Sequence, residues 1–104
     1  MSNYLLNRNV VFSKDKKSII RIYGMDMGAH MVVHLFQGNY VVFNVKGYTG
    51  WTSLGSTKYY NPTYYLIEIN DKGDIVKVIE EIDVTIKTWR QVKKDLISRA
   101  MELG

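Results

Sequence analysis

Residues 64–81 read YYLIEINDKGDIVKVIEE, and the fold turns on how this stretch divides. Tyr65, Ile67 and Ile69 alternate with Tyr64, Leu66 and Glu68, which is the period of a strand. Asn70-Asp71-Lys72-Gly73-Asp74 then supplies turn chemistry, with Gly73 free to take positive φ. Ile75 to Ile79 resumes as a run rich in β-branched residues. The stretch is a β-hairpin.

Two further hairpins lie upstream. Met31 to Phe36 and Tyr40 to Val45 flank Gln37-Gly38-Asn39, a short Gly-containing turn. Val10-Val11-Phe12 and Ser18 to Tyr23 flank the charged run SKDKK at 13–17. Downstream the period changes. In TWRQVKKDLISRAMELG (88–104), Trp89, Val92, Leu96, Ala100 and Leu103 recur at spacings of 3, 4, 4 and 3, one face of a helix. Thr88 is placed to cap this helix, Gln91 to complete a capping box, and Asp95 to pair with Arg99 one turn on. The expected fold is α+β: an antiparallel sheet of five or six strands within about residues 4–82, built from consecutive hairpins and covered by one C-terminal amphipathic helix at about 88–103. A small, partly open β-barrel closed by the helix is the structural alternative. A chain of 104 residues suits a single domain spanning 1–104.

Composition narrows the chemistry. With 46% hydrophobic and 23% charged residues the chain is globular rather than disordered. It has no cysteine, which removes disulfides, thiolate metal sites and cysteine nucleophiles. MSNYLLNRNVVF at the amino terminus lacks the pattern of a secretory signal, and no stretch nears the roughly 20 apolar residues of a membrane span. Asn61-Pro62-Thr63 carries proline where a glycosylation site forbids it. A soluble, cytoplasmic protein is expected. Its net charge of +4 is uneven: residues 1–60 hold seven Lys/Arg against two acids, and residues 61–104 hold seven against eight. A basic face with a polyanionic or acidic partner is the natural reading.

Catalytic constellations are sparse. His30 and His34, with Asp26 nearby, form the one candidate metal set, but strand positions four apart lie about 13 Å from each other, too far to share an ion easily. Glu80 and Glu81 are adjacent, so on a strand they face opposite sides and cannot cooperate as acid and base. A solvated strand end is expected of them. GWTSLGSTK at 50–58 has the glycines and hydroxyls of an anion cradle but not the offset of a P-loop, and Pro62 argues against a following helix. No G-x-S-x-G appears. No enzyme activity and no cofactor are expected.

What remains is recognition. The run GYTGWTSLGSTKYYNPTYY at 47–65 holds five of the eight tyrosines, one of the two tryptophans and the only proline. Connections of this length are either functional or contain a short strand. Rings beside basic side chains stack on unpaired bases, at roughly 1–3 kcal/mol per base. Candidate contacts are Arg21, Lys46, Tyr48, Trp51, Lys58, Tyr59 and Tyr60, joined by Arg90 and Lys94 on the side of the helix away from its apolar stripe, with Lys93 and Ile97 beside them. The leading expectation is a non-enzymatic module that binds nucleic acid, or a nucleic-acid-associated or acidic protein. The alternative is a small phage- or mobile-element-type inhibitor or adaptor acting by stoichiometric protein–protein binding, and a third reading is sequestration of a small ligand. Uncovered sheet edges would also allow a homodimer.

Overall fold

The computed structural model describes residues 5–23, 31–45, 50–51, 57–58, 63–83 and 89–104, with the backbone alone for 50, 51, 57, 58 and 83. The strands are β1 (Val10–Phe12), β2 (Ser18–Ile22), β3 (Met31–Gln37), β4 (Tyr40–Val45), β5 (Gly50–Trp51), β6 (Thr57–Lys58), β7 (Thr63–Ile69) and β8 (Ile75–Asp83), followed by helix α1 (Trp89–Leu103). All three expected hairpins form: β1–β2, β3–β4 and β7–β8. The last is longer than its β-branched run, because Glu80, Glu81 and Ile82 continue the pairing opposite Leu66, Tyr65 and Tyr64.

The sheet runs β1-β2-β3-β4-β7-β8, antiparallel throughout, and curls into a half-barrel. The expected α+β architecture is thus observed, and the curl makes the barrel alternative equally apt. One end of the curl is sewn together. The Asn7 and Val10 amides donate to the carbonyls of Ile75 and Gly73 at 2.8 Å, and the Ile75 amide donates to Arg8 at 2.9 Å. Asn9 adds side-chain bonds to the Lys72 carbonyl and to Asp74, each 2.8 Å. Gly73 makes this seam possible. Its φ is +85°, and a Cβ there would lie 2.8 Å from the Val10 carbonyl oxygen.

Both faces of the central strands are buried, which is why β4 and β7 read as near-continuous apolar runs. Val41, Phe43, Tyr65, Ile67 and Ile69 point into the curl, where Phe43 stacks on Tyr65 at 5.0 Å. Val42, Tyr64 and Leu66 point the other way, onto Leu96 and Ala100 of α1. Each such fully buried side chain is worth about 1.5–3 kcal/mol. The helix packs on β3, β4 and β7.

Two sequence expectations for the helix change, and a third is left open. Thr88, and with it the capping box, lies outside the described residues; Gln91 donates to Asp95 at 2.8 Å. Arg99 pairs with Glu80 on β8 rather than with Asp95, since the sheet brings a carboxylate to its flank. Leu103, at the end of the stripe, is exposed, while Ile97 is half-buried against the helix-side core. No described helix is long and apolar enough to cross a membrane.

Candidate functional site

Residues three and four apart on a helix form ridges, and two such ridges define the groove on one flank of α1. Trp89, Lys93 and Ile97 make the first; Arg90, Lys94 and Ser98 make the second. Between them runs a groove of about 390 Å³, some 13 Å long at 1.5 Å per residue. Its base is apolar: Trp89 and Ile97 both pack on the helix-side core. Its walls are cationic. The Arg90 guanidinium lies 5.3 Å from the Trp89 ring centroid and the Lys93 ammonium 5.9 Å.

Three cations and an indole therefore share one flank, and no carboxylate lines the groove among the described residues. The first turn of α1 carries no acid either, so the positive end of the helix dipole adds to the same field. These basic residues oppose the dipole by a few tenths of a kcal/mol each, an electrostatic cost that no carboxylate among the described residues lining the groove offsets. The opposite flank differs. There Arg99 is neutralised by Glu80, and Asp95 accepts from Gln91. Because Arg99 reaches β8, the cationic flank is turned toward β3 and β2.

Of the residues singled out in the sequence, Arg90 and Lys94 come together in this groove. Arg21 lies on β2, exposed, with its guanidinium 5.5 Å from the Tyr23 ring. It stands on the side of the sheet that the cationic flank overlooks, toward the end at which α1 begins. Trp51 and Lys58 fall in a short ribbon inside the aromatic connection, where Gly50 faces Lys58 and Trp51 faces Thr57. The long connection thus contains strands, one of the two outcomes its length implied. Trp51 and Lys58 occupy neighbouring rather than facing register positions. Lys46, Tyr48, Tyr59 and Tyr60 lie outside the described residues. Of the described residues that flank that segment, Val45 and Thr63 are paired, and Thr63 pairs with Asp83, so the three lie in register at one end of the sheet.

The ring and third cation of the groove, Trp89 and Lys93, were legible only as a core position and a bystander. The signal that finds them is the i, i+4 spacing of Trp89, Lys93 and Ile97 alongside Arg90, Lys94 and Ser98.

Other constellations stay outside this site. The segment Met31–Gln37 is a strand, as the spacing argument against a histidine metal site assumed, and His30 and Asp26 lie outside the described residues. His34 is the extra residue of a β-bulge, since Val33 pairs with Phe43 and Leu35 with Val42. Its Nε2–H donates to the Asn44 amide oxygen and its ring stacks on Tyr64 at 5.5 Å. Asn44 and Tyr64 are buried, and burial pushes the Tyr64 phenol above its ordinary value of 10.0. This polar trio fixes the bulge beneath the helix layer. No three described His, Asp or Glu residues are grouped to hold a metal. Glu80 and Glu81 do face opposite sides, but both are half-buried and partnered, by Arg99 and by the Tyr65 hydroxyl at 3.3 Å, and do not form a solvated strand end. Neither protein-family models, curated proteins nor solved structures give a match to this chain.

Proposed function

We propose that this chain is a non-enzymatic, cytoplasmic binding module that engages single-stranded nucleic acid along the Trp89–Ser98 flank of α1. The observation that carries this reading is the indole ring flanked by Arg90, Lys93 and Lys94 in a groove lined, among the described residues, by no carboxylate. Cations held at an aromatic face are pre-oriented, and a guanidinium offers a phosphate two parallel hydrogen bonds. The apolar base between Trp89 and Ile97 suits an unstacked base. A duplex hides its base faces, so the combination favours a single strand. Arg21 on β2 and the aromatic connection at 46–62, with Lys46, Tyr48, Trp51, Lys58, Tyr59 and Tyr60, are the proposed extensions of the contact.

Fluorescence anisotropy with labelled single- and double-stranded DNA and RNA tests this, at low and physiological salt. Single strands should bind more tightly than duplexes, and the affinity should fall steeply with salt as counterions are released. The double charge reversal R90E/K94E should abolish binding while changing folding stability by no more than about 0.5 kcal/mol, because both side chains are exposed surface positions. Absence of binding by the unaltered chain at low salt would sink the proposal.

One observation favours the second reading, a stoichiometric protein partner. Ile20 is 64% exposed and Tyr23 52% exposed, close to Arg21 on the same strand region. Isoleucine, tyrosine and arginine together resemble an interface hot spot more than a solvated edge. Capture of a stoichiometric protein partner by the chain, lost in Y23A, would support an inhibitor or adaptor instead.

A further inference from the structure

Topology brings the three short turns of the main sheet, 13–17, 37–39 and 70–74, to one end of the half-barrel, opposite the end where α1 begins. Between them opens a cleft of about 340 Å³, within the range of small-molecule sites, which favour the mouths of barrels. Its floor is aromatic and aliphatic. Phe12 and Phe36 meet edge to face at 5.0 Å and 64°, with Ile69 beside them in the inner core.

The rim carries Lys16 and Lys72. Lys16 has φ +59°, the left-handed region where glycine or asparagine is at home and a lysine is strained. That backbone sets its ammonium 4.9 Å over the Phe36 ring. A strained residue at the edge of a cavity is a reason to look for function there. The acids nearby are mostly occupied. Asp15 accepts from the Ser13 hydroxyl at 2.6 Å and the Lys17 amide at 3.0 Å. Asp74 accepts from Asn9 at 2.8 Å and Asn70 at 3.2 Å. Among the residues lining the cleft the charges are Lys16, Lys72 and Asp71, a surplus of one positive charge.

We infer that this mouth is a binding site for a small organic anion with a flat apolar body, seated on Phe12 and Phe36 and held at its anionic end by Lys16 and Lys72. A neutral ring would gain the floor alone, and a cation would meet the two ammoniums. The site is separate from the helix groove and stands or falls independently of it.

Titration of the 15N-labelled chain with benzoate, against benzyl alcohol as the neutral counterpart, tests the inference. Benzoate should produce saturable shifts at the amides of Lys16, Phe36, Asn39 and Lys72, and benzyl alcohol should bind about tenfold more weakly, the loss of one charge-assisted hydrogen bond. K16G is the discriminating variant. Glycine accepts the backbone, so its melting temperature should hold or rise while benzoate affinity falls about tenfold. A lowered melting temperature with unchanged benzoate binding would make Lys16 a residue of the fold and overturn the inference. So would shifts confined to the Trp89–Ser98 flank, or none that saturate.

Discussion

The carboxylates at the turn end of the sheet and the cations on the basic flank of α1 stand in opposite relations to the fold. At the turn end, Asp15 and Asp74 accept hydrogen bonds from their own turns and from Asn9, and their ionised forms help to hold the chain in place. At the helix flank, Arg90, Lys93 and Lys94 gather around Trp89 with no carboxylate among the described residues that line their groove. The two carboxylates at the first place are consumed by folding. At the second, Arg90 and Lys93 rest against the Trp89 ring while all three cations oppose the helix dipole, which is why we propose a use for them outside the fold.

The sharpest way to break this contrast is at the seam. Gly73 and Gly38 both have positive φ, +85° and +59°, yet a Cβ at Gly73 would meet the Val10 carbonyl oxygen at 2.8 Å while one at Gly38 would meet nothing within 4 Å. Gly38→Ala should cost about 1 kcal/mol, the conformational term alone. Gly73→Ala adds a clash with backbone that cannot swing aside and should cost about 3 kcal/mol or more. By thermal melting this is a fall of roughly 10 °C or more against a few degrees. Equal losses at the two glycines would show that the seam between residues 7–10 and 73–75 does not hold the curl.

Acid should act on the turn end as well. The side-chain bonds from Asn9 and Asn70 hold the Asp74 carboxyl below its ordinary 3.8, and the Ser13 hydroxyl and Lys17 amide do the same for Asp15. A depressed carboxylate contributes stability that is fully present above its unfolded value and is lost as pH falls through its folded one. D74N should therefore melt below the unaltered chain at neutral pH, and the gap should close as pH falls below the ordinary carboxylate value of 3.8 and through the lowered one of folded Asp74. A gap that stays constant with pH would mean that the ionised form of Asp74 does not matter. The helix flank, with no acid among the described residues lining its groove, should contribute nothing to this profile.

Much of this architecture was legible in the sequence because local pattern and tertiary structure agree. Tyr64 to Glu81 alternates and turns where it should, and Gly38 and Gly73 sit at the positive-φ positions of their turns. The helix begins and ends within a residue of its apolar stripe. The curl was less legible, because the seam is made by Asn7, Asn9 and Val10 from the other end of the chain, and no local period reports a contact between residues some sixty positions apart. The same holds for Glu80, whose partner Arg99 is chosen by where the helix lands. In the candidate site Arg90 and Lys94 were visible as a basic side. Trp89 was not, because a tryptophan on an apolar stripe is first of all a core residue. It is one here too, and only the packed structure shows that it also carries two cations.

The smallest expected effect tests the other flank of the helix. Arg99 and Glu80 pair across to β8 with side chains 50% and 33% exposed. An ion pair so open to solvent is worth about 0.2–1 kcal/mol and is screened by salt. E80Q should lower the melting temperature by a few degrees at most, less at high ionic strength. Its value lies in what it should leave alone. If nucleic acid is held in the Trp89–Ser98 groove, releasing Arg99 on the far side of the helix adds a cation where no strand runs, and affinity should hardly change. An affinity gain in E80Q comparable in size to the loss in R90E/K94E would mean that net charge, and not the groove, does the binding. The two flanks would then be equivalent, and the ring at Trp89 would be only a core residue after all.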